Sequence, residues 1–152
     1  MDGATVGAHD QVVTHRYVVH YPDHAPRTGD AHYADFAAYR RRTHATARCA
    51  FAVDVGDDVD CDTTRPLELH HAHIEFALAN EVDLARLERA YPGVSTPDEV
   101  GAWVESAANL MWLCRAHHRG PGGVHTAAAA DYEAAKFVQA LITSDPRTAH
   151  GG

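Results

Sequence analysis

The chain has 152 residues, a formal charge of −8 and three cysteines. That length suits one domain. The acidic balance argues against a protein that coats nucleic acid non-specifically, since phosphate binding rests largely on Lys and Arg releasing counterions.

The start, M-D-G-A-T-V-G-A-H-D, has no basic opening and no apolar run. Nothing elsewhere approaches the roughly 20 apolar residues that cross a bilayer. A cytoplasmic protein is therefore expected. An odd cysteine count in a reducing compartment favours metal ligation or burial over a disulfide framework. Twelve of the thirteen basic residues are Arg, a usage that suits a gene from a high-GC bacterium or its phage.

Residues 1–10 and 143–152 are small and polar and read as flexible tails. Residues 11–46 read as an N-terminal extension packing on the core. Within it, R-Y-V-V-H-Y (16–21) predicts a strand ended by Pro22, and A-P-R-T-G-D (25–30) a loop. Tyr33, Phe36, Ala37 and Arg40 recur at helical spacing, so 31–43 is predicted as a helix with its arginines in the last turn, where the dipole favours cations.

C-A-F-A-V-D-V-G-D-D-V-D-C (49–61) predicts a hairpin turning at Gly56-Asp57, which brings Cys49 and Cys61 into one neighbourhood. L-E-L-H-H (67–71) follows Pro66 as a short strand. Two short helices broken near Asn80 come next. T-P-D-E (96–99) then starts a helix, with Thr96 as cap, Pro97 in the first turn and Glu99 completing a capping box. N-L-M-W-L-C (109–114) predicts a second strand and C-R-A-H-H-R a helix, which G-P-G-G (120–123) must stop or kink. A last helix is predicted from Thr126 to about Ile142.

Charge is segregated along this chain. Arg40, Arg41, Arg42 and Arg48 occupy a stretch without acids, and five aspartates crowd the next segment. The arginine run is the candidate for phosphate contact, with Arg115 and Arg119 as the alternative. Each run also fits a solvated face.

Both predicted strands finish in metal-capable side chains. Consecutive residues on a strand point in different directions, so His70 and His71 cannot easily grip one ion together; one suits metal binding and the other water activation. Successive helix residues lie about 100° apart, so His117 and His118 face different sites. His117 shares a side with Cys114, three residues back. Cys49, Cys61, Cys114 and His117 would make a closed Cys₃His structural zinc site. The other reading is three buried thiols and a surface histidine. His73 reads as a helix-face residue.

With its His-His pair, Asn109, and L-C-R-A-H-H ending in His118, the chain resembles the HNH endonuclease family. The resemblance covers roughly residues 47–126, and the G-P-G-G-V-H tail is similar to versions in actinobacterial phages. It implies an α+β chain with a ββα-metal core at 47–142, a helical insertion between the core strands, and flanking helices. The implied activity is endonucleolytic hydrolysis of DNA, by nicking or double-strand cleavage, leaving 5′-phosphate and 3′-hydroxyl ends.

The resemblance further implies one divalent cation (Mg²⁺, Mn²⁺, Ni²⁺ or Zn²⁺) held by His70 and His118. It makes His71 the general base, and gives Asn109 the task of tying down the connecting loop and orienting His71. His125 is a candidate third ligand, the usual position falling here on Gly122. A phage terminase is an implied partner. Three departures stand out: eleven residues between Cys49 and Cys61 where a C-x-x-C knuckle is common, 37 residues between His71 and Asn109, and no Pro shortly after the pair. A non-catalytic zinc-stabilised module that binds nucleic acid or a protein is the competing expectation. A zinc hydrolase built on His71-Ala-His73 lacks the Asp-His that should follow.

Overall fold

The computed structural model describes residues 3–145. The fold is a mixed α+β arrangement in which helices surround a small two-stranded antiparallel sheet. The remainder of the two expected tails lies outside the described residues. No described helix is long and apolar enough to cross a membrane.

The N-terminal strand expected at 16–21 does not form. Residues 3–24 carry no regular secondary structure, and Tyr17 and Val18 are more than three-quarters exposed. β-rich composition needs a partner ladder to become a strand, and among the described residues none pairs with it. The extension is tied to the insertion at Asp23, whose carbonyl accepts from Asn80 Nδ2 at 2.9 Å.

Helix α1 (Tyr33–Thr43) ends on Arg40, Arg41 and Arg42 as the spacing requires. It is tied to the sheet by the indole of Trp112, which donates to Thr43 Oγ1 at 2.9 Å. At its other end His32 Nδ1 meets Asp35 at 2.8 Å and Nε2 meets Asp98 at 3.1 Å. The Asp35 hydrogen bond raises the His32 pKa above its ordinary value, against the opposing effect of burial.

The hairpin expected at 49–61 is instead a short helix, α2 (Ala50–Val55). Gly56, at φ +96°, provides the left-handed residue that ends it. A turn closed by Cys61 N–H on Asp58 O then brings Cys61 back. The cysteines therefore converge as expected, by a different local structure.

Strand β1 (Glu68–His71) pairs antiparallel with β2 (Leu110–Leu113), matching Glu68 with Leu113, Leu69 with Trp112, His70 with Met111 and His71 with Leu110. Directly opposed residues share a face. Glu68, His70, Met111 and Leu113 thus lie on one side; Leu69, His71, Leu110 and Trp112 lie on the other.

Between the strands, Phe76–Glu81 is a 3₁₀ turn that includes Asn80, and the break falls after it, before α3 (Leu84–Ala90). Helix α4 (Pro97–Val104) begins as read, with Thr96 Oγ1 accepting from the Glu99 N–H. Glu99 does not complete the capping box: its carboxylate accepts from Ser95 Oγ at 3.3 Å. Leu87, Val94, Val100 and Val104 form the insertion's own core. A second core of Cys49, Phe51, Ala52, Leu113 and Cys114 lies beneath the sheet.

Helix α5 (Arg115–Arg119) follows β2 directly, and α6 (Ala129–Ala135) is less than half the length expected from 126–142. Lys136, just past its end, reaches Asp54 at 2.7 Å and holds α6 against α2.

Candidate metal centres

The first centre is assembled from three separated pieces of chain. Cys49 immediately precedes α2, Cys61 returns after it, and Cys114 caps α5, one turn before His117. The Sγ atoms of Cys49, Cys61 and Cys114 lie 3.6, 3.7 and 3.1 Å from His117 Nδ1. Tetrahedral zinc with ordinary Zn–S and Zn–N bonds would place sulfur and nitrogen about 3.5 Å apart. All four donor atoms lie within 4.8 Å of one another, so the group can hold a metal such as zinc. Phe51 stacks on the His117 ring at 3.7 Å and 11°, fixing its plane.

The thiols of this group act on one another electrostatically. Burial opposes ionisation of Cys49, but hydrogen bonds from His117 and from the backbone near Cys114 outweigh it and bring the thiol down to about 6. Cys61 is pushed the other way, by burial and by the neighbouring thiolate charge. Cys49 and Cys61 are thus driven in opposite directions, a conflict between neighbouring thiolates that a bound dication would remove.

The second centre lies on the other pole of α5. A nitrogen each from His70, His118 and His125 falls within the same 4.8 Å limit. His118 Nε2 and His125 Nε2 are 3.0 Å apart, a little inside the roughly 3.3 Å between two nitrogens on one tetrahedral ion. His70 Nδ1 is buried with no hydrogen-bond partner. A buried, unsatisfied imidazole nitrogen is costly, so it points to a ligand. Burial first, then the charges of His125, His118 and His71, lower the His70 pKa to about 4, which leaves the ring neutral as ligation requires.

The G-P-G-G bend explains how His125 arrives. Gly122 adopts φ +81°, and a Cβ on Gly123 would sit 2.7 Å from Ala116 O, so the chain can fold tightly back over α5. Val124 N–H then donates to His117 O and His125 N–H to His118 O. The left-handed backbone at Gly122, which glycine adopts without strain, belongs to the bend that returns His125 to His118.

His71, at the end of β1, turns to the other face. Its Nε2 lies 3.0 Å from Glu105 Oε2, and its ring stacks against Phe36 at 5.8 Å. Glu105 is fully buried in its side chain, and Arg27 Nη1 lies 2.9 Å from its other oxygen. The Arg27 guanidinium itself sits 4.1 Å over Phe36 and 4.5 Å over Phe76. Glu75 stands 3.5 Å from His71 Nδ1 and is close enough to act electrostatically on His125, so it links the two faces.

Asn109 is fully buried, and its side-chain hydrogen bonds go to backbone groups rather than to a histidine ring. Its Oδ1 accepts from the His73 and Ile74 N–H groups, and its Nδ2 donates to the Ile74 and Val104 carbonyls. It stitches the loop after β1 to the end of α4. His73 is not on a helix: it occupies the exposed bend after β1, its ring against Tyr91 and Trp103.

Of the arginines, Arg40, Arg115 and Arg119 line one groove, and Arg41, Arg42 and Arg48 are exposed outside it. Four contributing residues were not singled out from the sequence. Glu68 meets His118 Nδ1 at 2.9 Å and Arg119 at 2.7 Å. Its position two residues before His70 on the same strand face was a usable signal. Glu75, four residues after His71, carried a weaker one. Glu105 and Arg27 carried none, because only the tertiary fold brings them to His71.

The chain matches no protein-family model, no curated protein and no solved structure.

Proposed function

We propose that this chain is a metal-dependent nuclease of the HNH kind, a ββα-metal unit that hydrolyses phosphodiester bonds in DNA. The observation that carries the reading is the clustering of one nitrogen each from His70, His118 and His125, in a place where His70 also buries an unpartnered Nδ1, one residue from a histidine held by a buried carboxylate. His70, His118 and His125 would hold a divalent cation. Such an ion supplies Lewis-acid stabilisation of the charge that builds on the phosphate and the departing oxygen.

The remaining work falls to the chain's own groups. Glu68 accepts from His118 Nδ1–H and so leaves Nε2 as the donor toward the metal, the carboxylate–histidine pattern common behind metal ligands. Glu105, an acceptor only, selects the Nε2–H tautomer of His71 and leaves Nδ1 free to take a proton. Nδ1 and Glu75 are both acceptors, 3.5 Å apart. A water donating to each of them would stand ready for attack: its proton passes to His71 Nδ1 as its oxygen bonds to phosphorus, and the P–O bond to the departing 3′ oxygen breaks. Asn109 keeps the loop that carries these groups in place.

The Cys₃His group fits a structural zinc that clamps α2 to the base of α5. On its own it would equally suit a non-catalytic binding module. The histidine triad and the His71–Glu105 pair favour the enzyme, since a binder needs neither. Supercoiled plasmid incubated with the protein and Mg²⁺, Mn²⁺, Ni²⁺ or Zn²⁺ should be nicked or linearised, and a chelator should stop it. No conversion with any of the four ions would leave the binding module as the better reading.

A further inference from the structure

Beside β1 lies a groove of about 390 Å³ that gathers Arg40 from the end of α1, Arg65 from the loop before β1, and Arg115 and Arg119 from the two ends of α5. Phe36 and Trp112 form part of its walls. Among the described residues, Arg40, Arg65 and Arg115 enter none of the ion pairs. Asp62 is the acid that feels Arg65 and Arg115, but its carboxylate is held by Thr64. Arg119 is paired with Glu68. Several like charges facing one concavity repel each other, and an anion spanning them relieves that repulsion.

The groove also borders both halves of the candidate site. Glu68, one of its walls, contacts His118, and Phe36, another, stacks on His71. We infer that this groove is the track for the phosphodiester backbone next to the bond that is cut, with α1 and α5 gripping one strand from two sides. The inference rests on the nuclease reading for the identity of the strand.

It also separates arginines that are adjacent in sequence. Arg40 lines the groove, and Arg41 and Arg42 do not, because each step along a helix turns the side chain by about 100°. The N-terminal extension, which the family resemblance leaves out, becomes part of the binding machinery through Arg40 and Phe36.

The test is fluorescence anisotropy of a short DNA duplex at several salt concentrations, in a His71→Ala background so that the probe is not consumed. Arg40→Ala combined with Arg65→Ala should weaken binding roughly tenfold or more and lower the salt slope by about one unit per arginine removed. Arg115→Ala should do the same singly. Arg41→Ala with Arg42→Ala should leave both affinity and slope within error. Circular dichroism of each variant excludes loss of fold, which exposed arginines should not cause.

Inorganic phosphate, titrated as a competitor, separates a strand track from a pocket for a free anion. Displacement only at concentrations far above the duplex affinity supports the track. The inference is overturned if the groove variants bind like the parent, if the Arg41 and Arg42 pair carries the loss, or if the groove variants lose affinity for phosphate but not for duplex. Plasmid cleavage by the same arginine variants, with His71 intact, keeps the two readings apart. Lost duplex binding without cleavage by the parent sinks the nuclease reading and keeps the groove; full binding and cutting by the groove variants does the reverse.

Discussion

Glu105 Oε2 lies 3.0 Å from His71 Nε2, across 34 residues of sequence, with the carboxylate shut off from solvent and Arg27 on its far side. One buried charge therefore serves two partners, orienting the imidazole and neutralising the guanidinium. Glu105→Gln should lower both stability and plasmid cleavage. A double-mutant cycle with Arg27→Met should show a stability coupling of about 0.5–3 kcal/mol. In cleavage, Glu105→Gln added to His71→Ala should cost little more than His71→Ala alone, because residues acting as a unit are not additive. Full additivity in both measurements would mean that the contact orients nothing.

The Cys₃His centre should be separable from the histidine triad. Structural zinc binding is largely folding free energy, about 10–16 kcal/mol in small domains. Cys114→Ser removes one donor of four and should lower the melting temperature sharply, with elemental analysis showing less bound zinc. His118→Ala should keep the zinc and the fold and lose cleavage. Equal melting of Cys114→Ser and the parent, with no zinc in either, would exclude a structural metal.

Most of the site could be read from spacing. Cys114 and His117 fall one helical turn apart, His118 on another face, and Asn109 immediately before a strand; each of these follows from the period of its element. The misreadings came where period is too short to decide. Six residues from Ala50 to Val55 satisfy alternation and helix equally well, and the outcome turned on Gly56 ending a helix and on Phe51 and Ala52 burying against Leu113. The segment at 16–21 has strand-like residues but no ladder to join. Glu105 and Arg27 sit in unremarkable sequence, and their role comes entirely from packing. His125 stood out only as a histidine after glycines, and the φ of Gly122 is what brings it home.

The docking of α1 onto α4 rests on a tight contact that sequence does not display. A Cβ on Gly101 would overlap the His32 ring, in particular Cδ2. Gly101→Ala should therefore destabilise the protein by about 1–3 kcal/mol, although alanine normally favours a helix. Removing the ring should relieve the clash: in a His32→Ala background, Gly101→Ala should be neutral or stabilising. Chemical denaturation of the four proteins decides it, and a Gly101→Ala variant more stable than the parent would contradict the packing.

The assignment of separate tasks to His70, His71 and His73 is tested most directly by plasmid nicking across a metal titration for the three alanine variants. His70→Ala should cut poorly and recover in part at high metal, since His118 and His125 remain. His71→Ala should lose ~10²–10⁴-fold, the usual worth of a general base, and added metal should not restore it. His73→Ala should be nearly silent, because the exposed ring only rests on Tyr91 and Trp103 and the contact to Asn109 is made by the backbone N–H. A dead His73→Ala together with a normally active His71→Ala would contradict the assignment.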